Sequence, residues 1–154
     1  MPFYGTGTGA IDPYLFRSTM CPHFTACFDM RKKDANWDLA RKLVNEWRKI
    51  APMMLGDYYP LTPYSLSQDA WIGWQFDRPG DGDGMIQVFR RGESIYRQAD
   101  LKLRGLDPDK QYAVTDLDTN IVTRKQGREL MEQGYRLEIA KPPGAALLTY
   151  RVER

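Results

Sequence analysis

Two hydrophobic periods divide this chain. Ala40, Leu43, Val44 and Trp47 recur at i, i+3, i+4 and i+7, while Arg41, Lys42, Asn45 and Arg48 fill the opposite side. That stripe predicts an amphipathic helix over residues 35–50. Asp34 or Asn36 stands ready to cap its start by accepting backbone N–H bonds. Pro52 ends it, because the ring removes a donor and restricts the residue before it. Beyond residue 67 the period drops to two. Ile72, Trp74 and Phe76 alternate with Trp71, Gly73 and Gln75. Ile86 and Val88 follow the turn at residues 79–84, and Ala99, Leu101 and Leu103 oppose Asp100, Lys102 and Arg104. Tyr112 and Val114 lie between turns at 107–109 and 118–120; Tyr135, Leu137 and Ile139 alternate with Arg136 and Glu138; a last strand covers 145–152. Residues 127–133 break this rhythm and read as one helical turn.

About seven short strands separated by turns predict a mainly β fold, an antiparallel β-sandwich. The sandwich spans residues 57–154, of which 57–69 is a joint rich in tyrosine and proline. Residues 1–56 form a helical or irregular appendage. Their first part carries no clear period. Gly5, Gly7 and Gly9 mark a loop, Asp12-Pro13 reads as a turn, and 14–20 as a short strand.

Charge narrows the possible partners. Among 154 residues there are 22 basic and 20 acidic side chains. Without a basic stripe, nucleic acid is a poor partner. No apolar run reaches the roughly 20 residues of a membrane span, and the N-terminus lacks the pattern of a signal peptide. The two cysteines suggest no disulfide framework and mildly favour a reducing, cytoplasmic setting.

Several stretches resemble the C-terminal end of family 36 glycoside hydrolases, the α-galactosidases and their relatives: GDYYPLT at 56–62, WIGWQFDRP at 71–79, QVFRR at 87–91, LRGLDP at 103–108, YAVTDLD at 112–118 and GRELM at 127–131. The resemblance implies a (β/α)8 catalytic barrel followed by an antiparallel sandwich, of which this chain holds the last barrel segment and the sandwich. Met1 then opens in the middle of a longer protein. The resemblance also implies that the catalytic pair of aspartates lies on barrel strands outside the chain. Asp12, Asp29 and Asp34 fall where the barrel is ending, and none is assigned to that pair. Arg17 and Ser18 are expected on the side of the former substrate cleft.

Other candidates are weaker. Cys21, His23 and Cys27 form half of a zinc-ligand set, and a Cys21–His23 nucleophile pair lacks an orienting partner; buried thiols and a loop histidine explain them better. The glycines at 5, 7 and 9 follow no strand, so a phosphate cradle is not expected. Neither metal nor cofactor is expected. Trp71 is placed opposite the core face of Trp74, where its ring is able to stack on a sugar with Gln75 as hydrogen-bond partner; packing against residues 1–56 is the plainer alternative. Tyr58, Tyr59 and Tyr64 offer either a sugar platform or, better, a stiff aromatic joint. Two functions therefore compete, both without catalysis: an accessory module holding galactosides or plant polysaccharide, and a structural domain bracing the barrel. If residues 1–35 keep apolar groups exposed, the chain is expected to self-associate.

Overall fold

The computed structural model describes residues 10–23, 28–29 and 31–153. The chain divides into two compact units, Met1–Pro52 and Met53–Arg154. Among the described residues no helix is long and apolar enough to cross a membrane.

The first unit holds two helices. Helix α1, Pro13–Ser18, occupies the stretch that the sequence pattern assigns to a strand. The reason lies in the two residues read as a turn. Asp12 is the N-cap, its Oδ1 accepting from the N–H of Leu15 at 2.8 Å, and Pro13 sits in the first turn, where a missing N–H is harmless and φ is already helical. Helix α2, Trp37–Ile50, matches its expected stripe, and Asn36 caps it by accepting from the N–H of Leu39. Its buried side is rotated toward Ala40, Leu43 and Glu46. Ile11, Phe16, Ala40 and Leu43 form a small core against which Met20, Phe28, Trp37 and Val44 pack.

The second unit is the expected antiparallel sandwich, with eight strands. These are β1 Asp57–Pro60, β2 Trp71–Arg78, β3 Asp83–Arg90, β4 Gln98–Leu101, β5 Gln111–Asp116, β6 Val122–Gln126, β7 Tyr135–Glu138 and β8 Gly144–Val152. Helix α3, Gly127–Glu132, is the single helical turn expected there. Six strands form one sheet in the order β1-β2-β3-β8-β5-β6, and β4 pairs with β7 in a second. The additional strand is β1, cut from the predicted joint. It pairs with β2 from Asp57↔Asp77 to Pro60↔Trp74. Proline is tolerated there because β1 is an edge strand. The opposite edge, β6, presents Arg124 and Lys125, charges that discourage pairing with another chain.

The core between the sheets contains Ile86, Val88, Leu101, Leu103, Val114, Leu130, Leu137, Ala146, Leu148 and Tyr150. Register places Gly73 beside Val88 and Gln75 beside Ile86, so the odd-numbered positions of β2 face this core. That reverses the expected orientation. Trp71, Gly73, Gln75 and Asp77 point inward, whereas Ile72, Trp74 and Phe76 lie half-buried on the other face. The pattern misleads because β3 is buried along its whole length and both faces of the sheet are covered at its centre. On the outer face Met85, Gln87, Phe89 and Leu147 are also buried, and the 3₁₀ turn Met53–Leu55 packs against β2 and β3. With both faces apolar, alternation no longer distinguishes them.

Candidate functional site

The residues expected to bind sugar do not share a surface. Trp71 packs against the sandwich core, and its Nε1–H donates to the Tyr96 carbonyl at 3.0 Å. Gln75 is wholly buried: Nε2 donates to the Arg104 carbonyl and Tyr150 Oη, both at 2.8 Å, and Oε1 accepts from the N–H of Arg104 at 2.8 Å. Its amide is committed on both sides. Tyr59 is the cross-strand neighbour of Gln75 and is half-buried. Tyr58 projects from the other face, 56% exposed, with its ring 5.4 Å from that of Phe76. Tyr64 stands in the following loop, 87% exposed. Alternation along β1 therefore separates Tyr58 from Tyr59 by the thickness of the sheet.

The appendage candidates are also placed by internal contacts. Arg17 is buried, its Nη2 and Nε donating to Glu46 Oε2 at 2.9 and 3.2 Å. Glu46 Oε1 makes no hydrogen bond and lies 3.8 Å from Lys42 Nζ. This buried ion pair offsets the loss of water around both charged groups. Ser18 donates to the Leu15 carbonyl at the end of α1. Cys21 Sγ donates to the His23 carbonyl at 2.9 Å; Cys27 and the glycine loop at 5–9 lie outside the described residues. Arg31 grips Asp29 through side chain and backbone and holds its carboxyl down to about 2, the wrong direction for a general acid.

Inside the sandwich a polar network crosses the core. Tyr150 donates to Asp77 Oδ1 at 2.5 Å and accepts from Gln75, which clasps the backbone of Arg104. Burial pushes the Asp77 carboxyl above its ordinary range; the Tyr150 bond opposes this, and Asp57 and Asp83 reinforce it. A carboxyl whose folded pKa is raised stabilises the fold below the unfolded value near 3.8, and that contribution is lost as pH rises through the folded value. Asp77→Asn keeps an acceptor for Tyr150 and removes the charge. We expect it to match or exceed the wild type in urea resistance at pH 7, with the difference closing as pH falls to 4. A variant that is weaker at pH 7 by a margin independent of pH contradicts this assignment.

Two surface depressions lie among the described residues of the second unit. One, of about 860 Å³, surrounds the β2–β3 turn and is lined by Arg78, Asp81, Asp83, Lys110 and Arg151. Its charges are matched internally: Arg78 binds Asp83 and Asp81, Arg151 reaches Asp83 at 3.4 Å, and Lys110 pairs with Asp107. The other, a groove of about 520 Å³, is formed by Ile95, Tyr96, Arg97, Gln98 and Glu138. Glu138 sits opposite Gln98 in the β4–β7 ladder and accepts from Gln98 Nε2 at 3.2 Å and from Arg97 Nη2 at 2.8 Å. Ile95 and Tyr96 are exposed by 80% and 69%.

The loop carrying them is anchored from beneath. Arg90 is buried without a carboxylate. Its Nη1 donates to the carbonyls of Ile139 and Ala140, and its Nη2 to that of Ser94 at 2.6 Å. Arg90 Nε has no hydrogen-bond partner. Together with the Trp71–Tyr96 bond, this ties the loop after β3 to the end of β7. The sequence reading missed the groove; the available signal was Arg90, a cation on the inward face of an apolar strand.

No family model matches the chain, and no curated protein does. Solved structures do. The GH36 α-galactosidase AgaB from Geobacillus stearothermophilus is 19% identical with a TM-score of 0.66, covering 82% of this chain and 17% of that enzyme. A variant of AgaA from the same organism, in complex with raffinose, gives 17% identity and a TM-score of 0.67 over the same shares. An α-galactosidase from Lactobacillus brevis gives 16% and 0.65, covering 82% of this chain and 18% of its own. The likeness is one of fold, and it falls on the family whose motifs the sequence resembles. This chain spans less than a fifth of the length of those enzymes.

Proposed function

We propose that this chain is a non-catalytic module from the C-terminal part of an α-galactosidase-like glycoside hydrolase, and that its principal work is to brace the catalytic barrel. The observation that carries the reading is a run of exposed apolar side chains in the segment through edge strand β1: Leu55, Tyr58, Tyr64 and Leu66, between 56% and 87% exposed. Such groups within twelve residues suit a surface covered by a neighbouring domain. The fold likeness to family 36 enzymes supports a catalytic barrel as that neighbour. On this reading the chain alone does not hydrolyse galactosides. A retaining site needs two carboxyls about 5 Å apart on rigid elements, and the barrel would provide them.

This segment also relocates the expected self-association. Among the described residues of 10–35, Ile11 and Phe16 are buried and no large apolar side chain is exposed. Without a barrel, the segment at 55–66 offers four exposed apolar side chains for association. Sedimentation of the purified chain is therefore expected to show a concentration-dependent dimer. Tyr58→Asp/Leu66→Asp is expected to sediment as a monomer of unchanged melting temperature. A wild-type chain that stays monomeric at several hundred micromolar removes the support for bracing through this segment.

Carbohydrate binding is the second reading. Of the side chains first considered for it, Tyr58 and Tyr64 keep their rings in solvent.

A further inference from the structure

We propose that the groove formed by Ile95, Tyr96, Arg97, Gln98 and Glu138 is a carbohydrate subsite, separate from the bracing surface. Its chemistry selects the ligand class. Arg97 and Glu138 cancel, leaving no net formal charge among the lining residues, so an ionic ligand gains little from the groove. A hydrocarbon would strip water from the carboxylate and guanidinium without replacing it. A neutral sugar suits both parts. Its C–H face lies on the Tyr96 ring and Ile95, and neighbouring hydroxyls bond to groups that accept and donate side by side: the Glu138 carboxylate, the Gln98 amide and the Arg97 guanidinium. The side chains of Arg97 and Glu138 remain 63% and 45% exposed, so their unused donors and acceptors face water that hydroxyls are able to replace. The groove is shallow and open to solvent, so it would cover one face of a sugar and leave the other in water.

The groove is also built to hold its shape. Trp71 Nε1 fixes the Tyr96 carbonyl, Arg90 clamps Ser94, next to Ile95 in the chain, and Ile139 and Ala140, which follow Glu138, and Arg97 O accepts from the N–H of Ile139 at 3.0 Å. The buried Arg90 guanidinium gives both Nη groups to three loop carbonyls, leaving Nε unpaired, and so holds the two loops at a fixed spacing. Preorganisation lowers the entropy lost on binding, and a tyrosine ring with few rotatable bonds adds little to that loss.

The test uses the whole chain, with raffinose and a soluble galactomannan as probes. Binding is followed by the ¹⁵N indole resonance of Trp71, which lies against the Tyr96 carbonyl. Saturation is expected at millimolar concentration, with affinity falling about tenfold in Tyr96→Ala and several-fold in Glu138→Gln. Tyr64→Ala is expected to bind as the wild type. Tyr96 is exposed, so its variant should keep the wild-type circular dichroism spectrum, which is checked first. Binding that survives Tyr96→Ala unchanged, binding lost in Tyr64→Ala instead, or no resonance shift with either probe at tens of millimolar overturns the assignment. None of these outcomes alters the sedimentation result that tests bracing, so the two readings fail separately.

Discussion

Gly84→Ala is expected to lower stability by about 4 kcal/mol and the melting temperature of the sandwich by on the order of 20 °C. Gly84 lies on the inward face of β3, opposite Asp77 and Tyr150. A Cβ at this position would come closer than 3.0 Å to Tyr150 Oη and to the backbone oxygen of Phe76. The β2 backbone is held by its ladder and cannot retreat. The Tyr150 hydroxyl is pinned between Asp77 at 2.5 Å and Gln75 at 2.8 Å. Room for one methyl group therefore requires moving Tyr150, which leaves a buried carboxylate and a buried amide without their partner. Overpacking costs about 1–3 kcal/mol and an unsatisfied buried group about as much again. Thermal unfolding measured by circular dichroism decides the matter. A loss of only a few degrees would mean that Tyr150 does not lie across Gly84.

The second large effect concerns the first unit. Arg17→Met is expected to remove about 3 kcal/mol, because Glu46 loses its hydrogen-bonded cation and keeps only Lys42 at 3.8 Å. Arg17 and Glu46 are 2% and 7% exposed, and their contact joins α1 to α2 near a core built from few side chains. The loss should appear as faster amide exchange in α2, with weaker protection at Leu43, Val44 and Trp47. Arg17→Met/Glu46→Leu should recover most of that protection, since apolar side chains of similar size replace a buried pair with little penalty. A single variant as protected as the wild type, or a double variant no better than the single, rejects this account.

The Arg17 ion pair also marks a limit of pattern reading. The periodic stripe of α2 is visible in the sequence, yet Glu46 occupies a buried position on it because Arg17 lies across the interface, 29 residues away. Periodicity records which positions are apolar and carries no information about a polar residue whose partner is distant. Helix α1 shows a local failure of a different kind. Asp12 and Pro13 carry both a turn signal and a helix-start signal. The choice depended on Phe16 having a core to enter, and that core comes mainly from α2. The orientation of β2 escaped the pattern for a third reason. Trp71 and Gln75 are rightly grouped on one face of β2, but which face is interior depends on the sheet that covers it.

By itself the sequence determined the class of the fold: a helix within 35–50, short antiparallel strands from 71 onward, a helical turn within 127–133 and stretches that resemble family 36. Each of these follows from local spacing and turn chemistry, which neighbouring residues impose on one another. Tertiary structure alone decided that 57–60 is a strand, that the odd positions of β2 point inward, that Asp77 loses its water and that Arg90 clamps the loop beneath Tyr96. Those outcomes are pairings between segments far apart in the chain, and burial depends on what arrives from the other side.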